Sequence, residues 1–364
     1  MRRLHLTRRL LVGQAVVSLL AGCAGTATVA PPSATAQPSA SLVAGADVTE
    51  VTGTATCPTA DLGNATTDAN GVMHYRGGTF VCTMRTDDPR VSGTHTSGEW
   101  SIDWWGEADL SSGALVQWGT PRLENAGGAW EGSGSGVYSS DRGDIIAFWY
   151  KGTGGYADLG YFELWTGNEP WTIRGLIFPG DPPILANMPP APTAPPAPTI
   201  TASPTATPSP AATAIAYGPV SVGAGTFTYS TMDLGTTTPG PRGATRYNGA
   251  VATGVETAND PRVSVTFTGA PFTIDLWGTF DAGGAVQWGP GRSENDGGTW
   301  ECNYSGIRDS RGDTLVGWCR GAGGYAGLGY FELLTNLDPF GLYAPDWTDG
   351  SIDNQIFPGN PPMP

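Results

Sequence analysis

Basic and titratable side chains are scarce in this chain. Lysine occurs once, at Lys151, histidine three times, and charged residues make up only 14% of 364 residues, against the quarter or so usual in soluble domains. The 18 basic residues face 33 acidic ones, for a net charge of −15. Four arginines precede residue 10, so the chain beyond them carries 14 basic and 33 acidic residues, or −19. A surface of that sign repels phosphate backbones and excludes a nucleic-acid binder. His74 and His95 both lie in the first half and the second half has none, so a histidine-dependent triad could exist only in the first. There is no P-loop, no dinucleotide fingerprint and no zinc spacing, and Gly154-Gly155 lacks the strand-to-helix setting that binds phosphate. No cofactor and no metal are therefore expected. Helical periodicity is absent too, while 54 Gly, 31 Pro, 13 Trp, 12 Tyr and 11 Phe are present. Glycine and proline stay below the level of a wholly low-complexity chain, and the aromatics are enough to build a core.

The first residues read as an export signal. Arg2, Arg3, Arg8 and Arg9 precede an apolar run from Leu10 to Leu20, too short to span a bilayer and followed by small residues. Its end, Leu20-Ala21-Gly22-Cys23, resembles the lipobox of bacterial lipoproteins, which implies lipidation of Cys23 and a membrane contact through that lipid only. The alternative is an ordinary cleavable signal. Thr7-Arg8-Arg9-Leu10-Leu11 also resembles a twin-arginine signal. The expected location is the extracytoplasmic face of the bacterial envelope.

Beyond the signal the chain repeats itself once. Asp88-Pro89-Arg90-Val91-Ser92 recurs at 260–264, Val116-Gln117-Trp118-Gly119 at 286–289, and Arg142-Gly143-Asp144 at 311–313. Leu159-Gly160-Tyr161-Phe162-Glu163-Leu164 recurs at 328–333. A period of roughly 170 residues is a duplicated domain, not a solenoid. The organisation expected is a signal over 1–22, a disordered stalk over 23–46, repeat one over 47–186, a Pro-rich linker over 187–216 and repeat two over 217–364.

Each repeat alternates short runs of Trp, Tyr, Val, Ile and Thr with Gly, Asp and Asn clusters. That pattern predicts an all-β fold, two tandem antiparallel barrels or sandwiches of eight or nine strands each. In repeat one the strands are expected near 53–57, 79–85, 90–96, 100–106, 114–119, 129–137, 144–151, 160–165 and 173–178. The cysteines refine this. Cys302 and Cys319 align with Gly132 and Tyr150, whereas Cys57 and Cys82 align with Tyr229 and Gly254. Each pair is thus Cys with Cys or Tyr with Gly, as cross-strand neighbours would be if a ring covers a glycine where a bridge is missing. The predicted disulfides are Cys57–Cys82 and Cys302–Cys319.

The stretch Trp130-Glu131-Gly132, the Arg-Gly-Asp hairpin and Gly152-Thr153-Gly154-Gly155-Tyr156-Ala157-Asp158-Leu159 resembles secreted small-barrel domains of the allene oxide cyclase and dirigent type. The similarity covers about a third of each repeat and implies a barrel. No catalytic residue carries over.

Candidate binding residues come from strand alternation. Glu131 shares a side with Trp149, Glu301 with Trp318, Asp103 with Trp105, and Asp275 with Trp277. Carboxylates beside indoles suit a glycan or another small or repeating ligand, by ring stacking and by accepting hydroxyl or ammonium donors, and two copies would add avidity. Such carboxylates would also suit a glycosidase- or isomerase-like enzyme. The structural alternative has the indoles filling the barrel and the acids pairing with Arg90, Arg122 or Arg142, in a non-catalytic spacer protein. Two weaker signals are the Arg-Gly-Asp tripeptides on hairpin tips and the acidic clusters Asp87-Asp88 and 141–144, which match no calcium loop.

Overall fold

The computed structural model describes residues 48–106, 113–183, 220–269, 271–280, 283–337 and 349–361. The segments expected to be a signal and a stalk, Cys23, and the expected Pro-rich linker lie outside the described residues.

Repeat one forms β1 (Thr49–Asp61), β2 (Asn64–Thr67), β3 (Met73–Thr86), β4 (Gly93–Gly106), β5 (Gly113–Asn125), β6 (Gly128–Ser139), β7 (Gly143–Gly154), β8 (Leu159–Gly167) and β9 (Trp171–Pro179). All pairings are antiparallel, and β1 pairs with both β9 and β3, so eight strands close into a barrel with β2 laid beside the start of β3. Repeat two forms β10 (Ser221–Asp233), β11 (Thr236–Pro239), β12 (Thr245–Ala258), β13 (Val265–Gly269), β14 (Phe272–Trp277), β15 (Gly284–Asn295), β16 (Gly298–Asp309), β17 (Gly312–Gly323), β18 (Leu328–Leu337) and β19 (Asp349–Pro358). Here β10 pairs with both β19 and β12. The strands expected at 90–96 and 100–106 are one strand, β4, with a register shift between Gly98 and Ser101. In repeat two the same strand is split into β13 and β14. Barrels are thus the observed form of the all-β expectation, and closure removes the open edges that a flat sheet would expose.

The repeated motifs close one end of each barrel. Trp130 and Trp300 are fully buried, and each indole donates to a main-chain carbonyl, Arg90 or Arg262, at 2.8 Å. Asn125 donates to the carbonyls of Pro89, Arg90 and Ser92, and accepts from Tyr156 at 2.5 Å. Asn295 and Tyr325 repeat this. Tyr156 stacks on Trp130 at 5.1 Å and Tyr325 on Trp300 at 4.9 Å. Trp130, Asn125 and Tyr156, with their counterparts Trp300, Asn295 and Tyr325, therefore serve as a plug: aromatic area out of water, with indole, amide and hydroxyl each given a partner.

Both predicted disulfides are present, Cys57–Cys82 between β1 and β3 and Cys302–Cys319 between β16 and β17. The replaced positions are cross-strand partners as expected, Gly132 opposite Tyr150 and Tyr229 opposite Gly254. The ring cover is different. The space beside Gly132 is taken by the Trp149 carbonyl and the Tyr150 main chain, and that beside Gly254 by the Phe227 ring. Directly opposed residues in a twisted barrel lean along their own strands, so the opposite tyrosine ring does not cover either glycine: main chain closes on Gly132 and the neighbouring Phe227 ring on Gly254.

The two barrels expected from the duplication pack against one another. Beside the two interior cores lies a third, built from the outer faces of both barrels. It holds Ile145, Ala147, Trp149, Phe162 and Leu164 from the first, and Val316, Trp318, Phe331 and Leu333 from the second. This is why β7, β8, β17 and β18 read as nearly continuous apolar runs: they are buried on both faces.

Candidate functional site

The interior of the first barrel is not filled. Above the Trp130 plug lies a cavity of about 280 Å³, near the lower end of small-molecule sites. Its walls are aromatic: Trp100, Trp104, Phe148, Trp165, Trp171 and Tyr138. Phe148 lies 5.1 Å from Trp165, which stacks on Trp171 at 5.5 Å, and Trp104 stacks on Tyr138 at 6.3 Å. Tyr138, Leu115, Trp171, Tyr75 and Phe80 are only partly buried and form the mouth.

A few polar groups break the apolar wall. Asp144 is the principal one. Its Oδ1 accepts from Gln117 Nε2 at 2.7 Å and its Oδ2 from the Trp171 indole at 2.8 Å. Gln117 is itself held, because its Oε1 accepts from the Trp100 indole at 3.0 Å. Asp144 keeps some exposure at the mouth, yet the surrounding rings desolvate it and push its pKa up to about 6, an effect that the two donated hydrogen bonds only partly offset. No arginine or lysine bonds its carboxylate among the described residues. His95 also lines the cavity. Its Nε2 pairs with the Tyr150 hydroxyl at 3.0 Å, whereas its buried Nδ1 has no hydrogen-bond partner among the described residues. Burial pushes its pKa down to about 3, so the ring is neutral at physiological pH.

The second barrel is built on the same plan, with a different partner for the acid. Asp313 aligns with Asp144, and the cross-strand partner of each is Arg308 or Tyr138 respectively. Arg308 is almost fully buried. It donates to Asp313 at 3.0 Å and to the Phe280 carbonyl at 3.1 Å, and its guanidinium lies 5.9 Å from the Phe280 ring. His95 is replaced by Phe267, a core residue in van der Waals range of Tyr304 and Phe227. One repeat thus retains an open, acid-bearing interior, and in the other an arginine occupies the equivalent place.

The eight residues singled out from strand alternation all point outward. Trp149, Trp277 and Trp318 are buried in the core between the barrels, and Trp105 packs against it, 5.7 Å from Phe357. Trp149 donates to Ser305 of the second barrel at 3.3 Å, and Trp318 to Ser135 of the first at 3.0 Å. Among the acids, Asp103 bonds His74 at 2.7 Å and Arg76 at 2.6 Å, and Asp275 is clamped by Arg246 through both oxygens. Glu131 pairs with Arg122, while Glu301 is exposed on the outer wall opposite Arg292 and Arg320. The structure brings acids and indoles to the same sides of their strands but gives the indoles to the other barrel.

Other signals are absorbed by the fold. Arg142 bonds Asp353 across the barrels, Asp144 and Asp313 point inward, and Gly143 and Gly312 supply the positive φ of the turns, 78° and 96°. The acids of the Arg-Gly-Asp tripeptides are therefore turned into the barrels, Asp313 buried and Asp144 half-buried at the cavity mouth. Asp88 is bonded by Arg90 at 2.6 Å. Cys302, Cys319 and Glu332 cluster closely, but the two sulfurs are bonded to each other. The cavity residues escaped the sequence reading because Asp144 is part of a turn motif and Gln117 part of a repeated one. The usable signal was a difference between the repeats: Tyr138 against Arg308, and His95 against Phe267.

The two disulfides fit a chain folded in an oxidising, extracytoplasmic compartment. No helix among the described residues is long and apolar enough to cross a membrane. Comparison with protein-family models, with curated proteins and with solved structures finds no match to this chain.

Proposed function

We propose that this protein is an exported, lipid-anchored binding protein whose first barrel takes a small, largely apolar ligand into its interior, with the second barrel as a plugged companion. The observation that carries the reading is the contrast within one chain. A 280 Å³ aromatic cavity with Asp144 and His95 stands open in repeat one, and Arg308 fills the corresponding place in repeat two. Duplication then supplies a stabilising partner, not a second equal site, and a glycan stacking on Trp149 or Trp318 is disfavoured because those rings are covered.

The test is a titration of the mature chain with a neutral apolar fluorophore, followed by tryptophan quenching. One equivalent is expected per chain, lost on Leu115→Trp, which crowds the mouth. Two equivalents, or none, would overturn the reading. The anchor is tested separately: Cys23→Ser should release the chain from the membrane fraction, and unchanged sedimentation would refute lipidation there.

A second reading rests on Asp144 alone. A carboxyl with a pKa near 6 inside an apolar cavity has the property of a general acid or base. Ligand recovered chemically unchanged after incubation would exclude it.

A further inference from the structure

We propose that the first barrel selects cationic aromatic amines, with the ligand's ammonium seated on Asp144 and its ring in the surrounding aromatic cage. The inference rests on the interior of that barrel being the ligand site, and it names the ligand's chemical class.

The argument comes from the second barrel, which displays its own occupant. In repeat two, the carboxylate at this position is met by the Arg308 guanidinium from the adjacent strand, over the face of Phe280. The hairpins differ by one residue, with three residues at 140–142 and two at 310–311, yet Asp144 and Asp313 each sit one position past the hairpin glycine, opposite residue 138 or 308. Repeat one keeps the acid, removes the arginine and leaves room. The space it leaves is one that a planar or compact cation on an apolar stem fills in the same molecule.

Three features of the cavity fit such a ligand. First, Gln117 and the Trp171 indole fix both carboxylate oxygens in place, each by one hydrogen bond, and an ionised oxygen has a further lone pair for an ammonium donor. Second, the cage is lined by Trp104, Trp165, Trp171 and Tyr138, and indole and phenol rings attract cations most strongly when water is excluded. Third, the chain beyond residue 9 has a net charge of −19, which enriches cations and depletes anions near its surface. A neutral apolar ligand would gain from the rings alone. An anionic one would meet Asp144 with no cation to answer it.

The experiment is calorimetric titration of the mature chain with three ligands of one shape: 2-(2-naphthyl)ethylammonium, the corresponding alcohol, and the corresponding acid, 2-naphthylacetate. On the unmodified protein the amine is expected to bind at least tenfold more tightly than the alcohol, and the carboxylate not at all. Asp144→Asn should remove the amine's advantage over the alcohol. Tyr138→Arg, which gives the first barrel the arginine of the second, should abolish binding of all three, with circular dichroism unchanged. Equal affinity for amine and alcohol on the unmodified protein overturns the amine proposal and leaves the cavity reading standing. Failure of all three ligands to bind, or full binding to the Tyr138→Arg protein, overturns the cavity reading itself, and the amine proposal with it.

Discussion

Arg142 of the first barrel bonds Asp353 of the second, and Arg174 at the position equivalent to Asp353 bonds Asp309 of the second. The contact between barrels is reciprocal at the indoles, Trp149 to Ser305 and Trp318 to Ser135, but not in its charges. Arg142 meets Asp353, whereas Arg174, which stands at the position of Asp353, meets Asp309, an acid that Arg311, the counterpart of Arg142, also bonds. An arginine in the place of Asp353 is thus answered by a different acid on the facing barrel.

The charge pattern is testable by a double-mutant cycle. Asp309 is fully buried, and Arg174 and Arg311 both bond it. Arg174→Asp should destabilise the chain by about 2–4 kcal/mol, since it leaves buried like charges. Restoration by Asp309→Arg in the same chain should recover about 1 kcal/mol or more in chemical denaturation. Strict additivity of the two substitutions would show that the pair does not couple the barrels.

The plug predicts equal costs in the two repeats. Asn125→Ala and Asn295→Ala each remove donors to buried main-chain carbonyls and the acceptor for a tyrosine hydroxyl, at a cost of about 2–3 kcal/mol. Thermal unfolding of either variant at the wild-type temperature would contradict the assigned role.

Stability should fall as pH rises through neutrality. Burial raises the pKa of Asp144 to about 6, of Glu163 to about 8 and of Glu332 to about 7, and raises Glu256 also. A carboxyl that holds its proton to higher pH in the fold than in the unfolded chain contributes stability at low pH. That contribution is lost as pH climbs from about 4.5 through the folded values. His95 acts in the opposite sense: its depressed pKa costs stability as pH drops below about 6.5. Asp260, held down to about 2 by Arg262 against the opposing desolvation, is lost in the same direction under stronger acid. The optimum is expected near pH ~5, with Tm declining towards pH 8, and Glu163→Gln should flatten the decline. A Tm that rises from pH 5 to pH 8 would refute the assignment.

Removing a disulfide should cost about 3 kcal/mol for loops of this size. Cys302→Ala with Cys319→Ala can be compared with Cys302→Gly with Cys319→Tyr, which copies the first repeat's solution at the same cross-strand pair. The copy is expected to lose less, because Gly132 and Tyr150 show that the backbone accepts it. Non-reducing peptide mapping that found a bridge between repeats would contradict the pairing.

The disulfide pairing, the all-β class, the duplication and most strands were legible in the residues. Local pattern carries that information: alternation and turn glycines set the strands, and the complementary Cys and Tyr–Gly pairs set the register. The one strand mis-split, β4, holds an irregularity at 98–101 that reads as a break. The binding residues were not legible. Alternation says which residues share a side, but not which side is water, cavity or another barrel. The runs 144–150 and 313–319 already hinted at burial on both faces, since they do not alternate.

The sequence by itself determined that this chain is an anionic, duplicated, disulfide-bridged β protein, because composition, periodicity and repetition are properties of the chain. Only the tertiary structure decided that the outer indoles of both barrels form a core between them. It alone set Asp144 in an open cage while Arg308 answers its counterpart, since packing sums contributions from strands distant in sequence and local pattern records none of those distances.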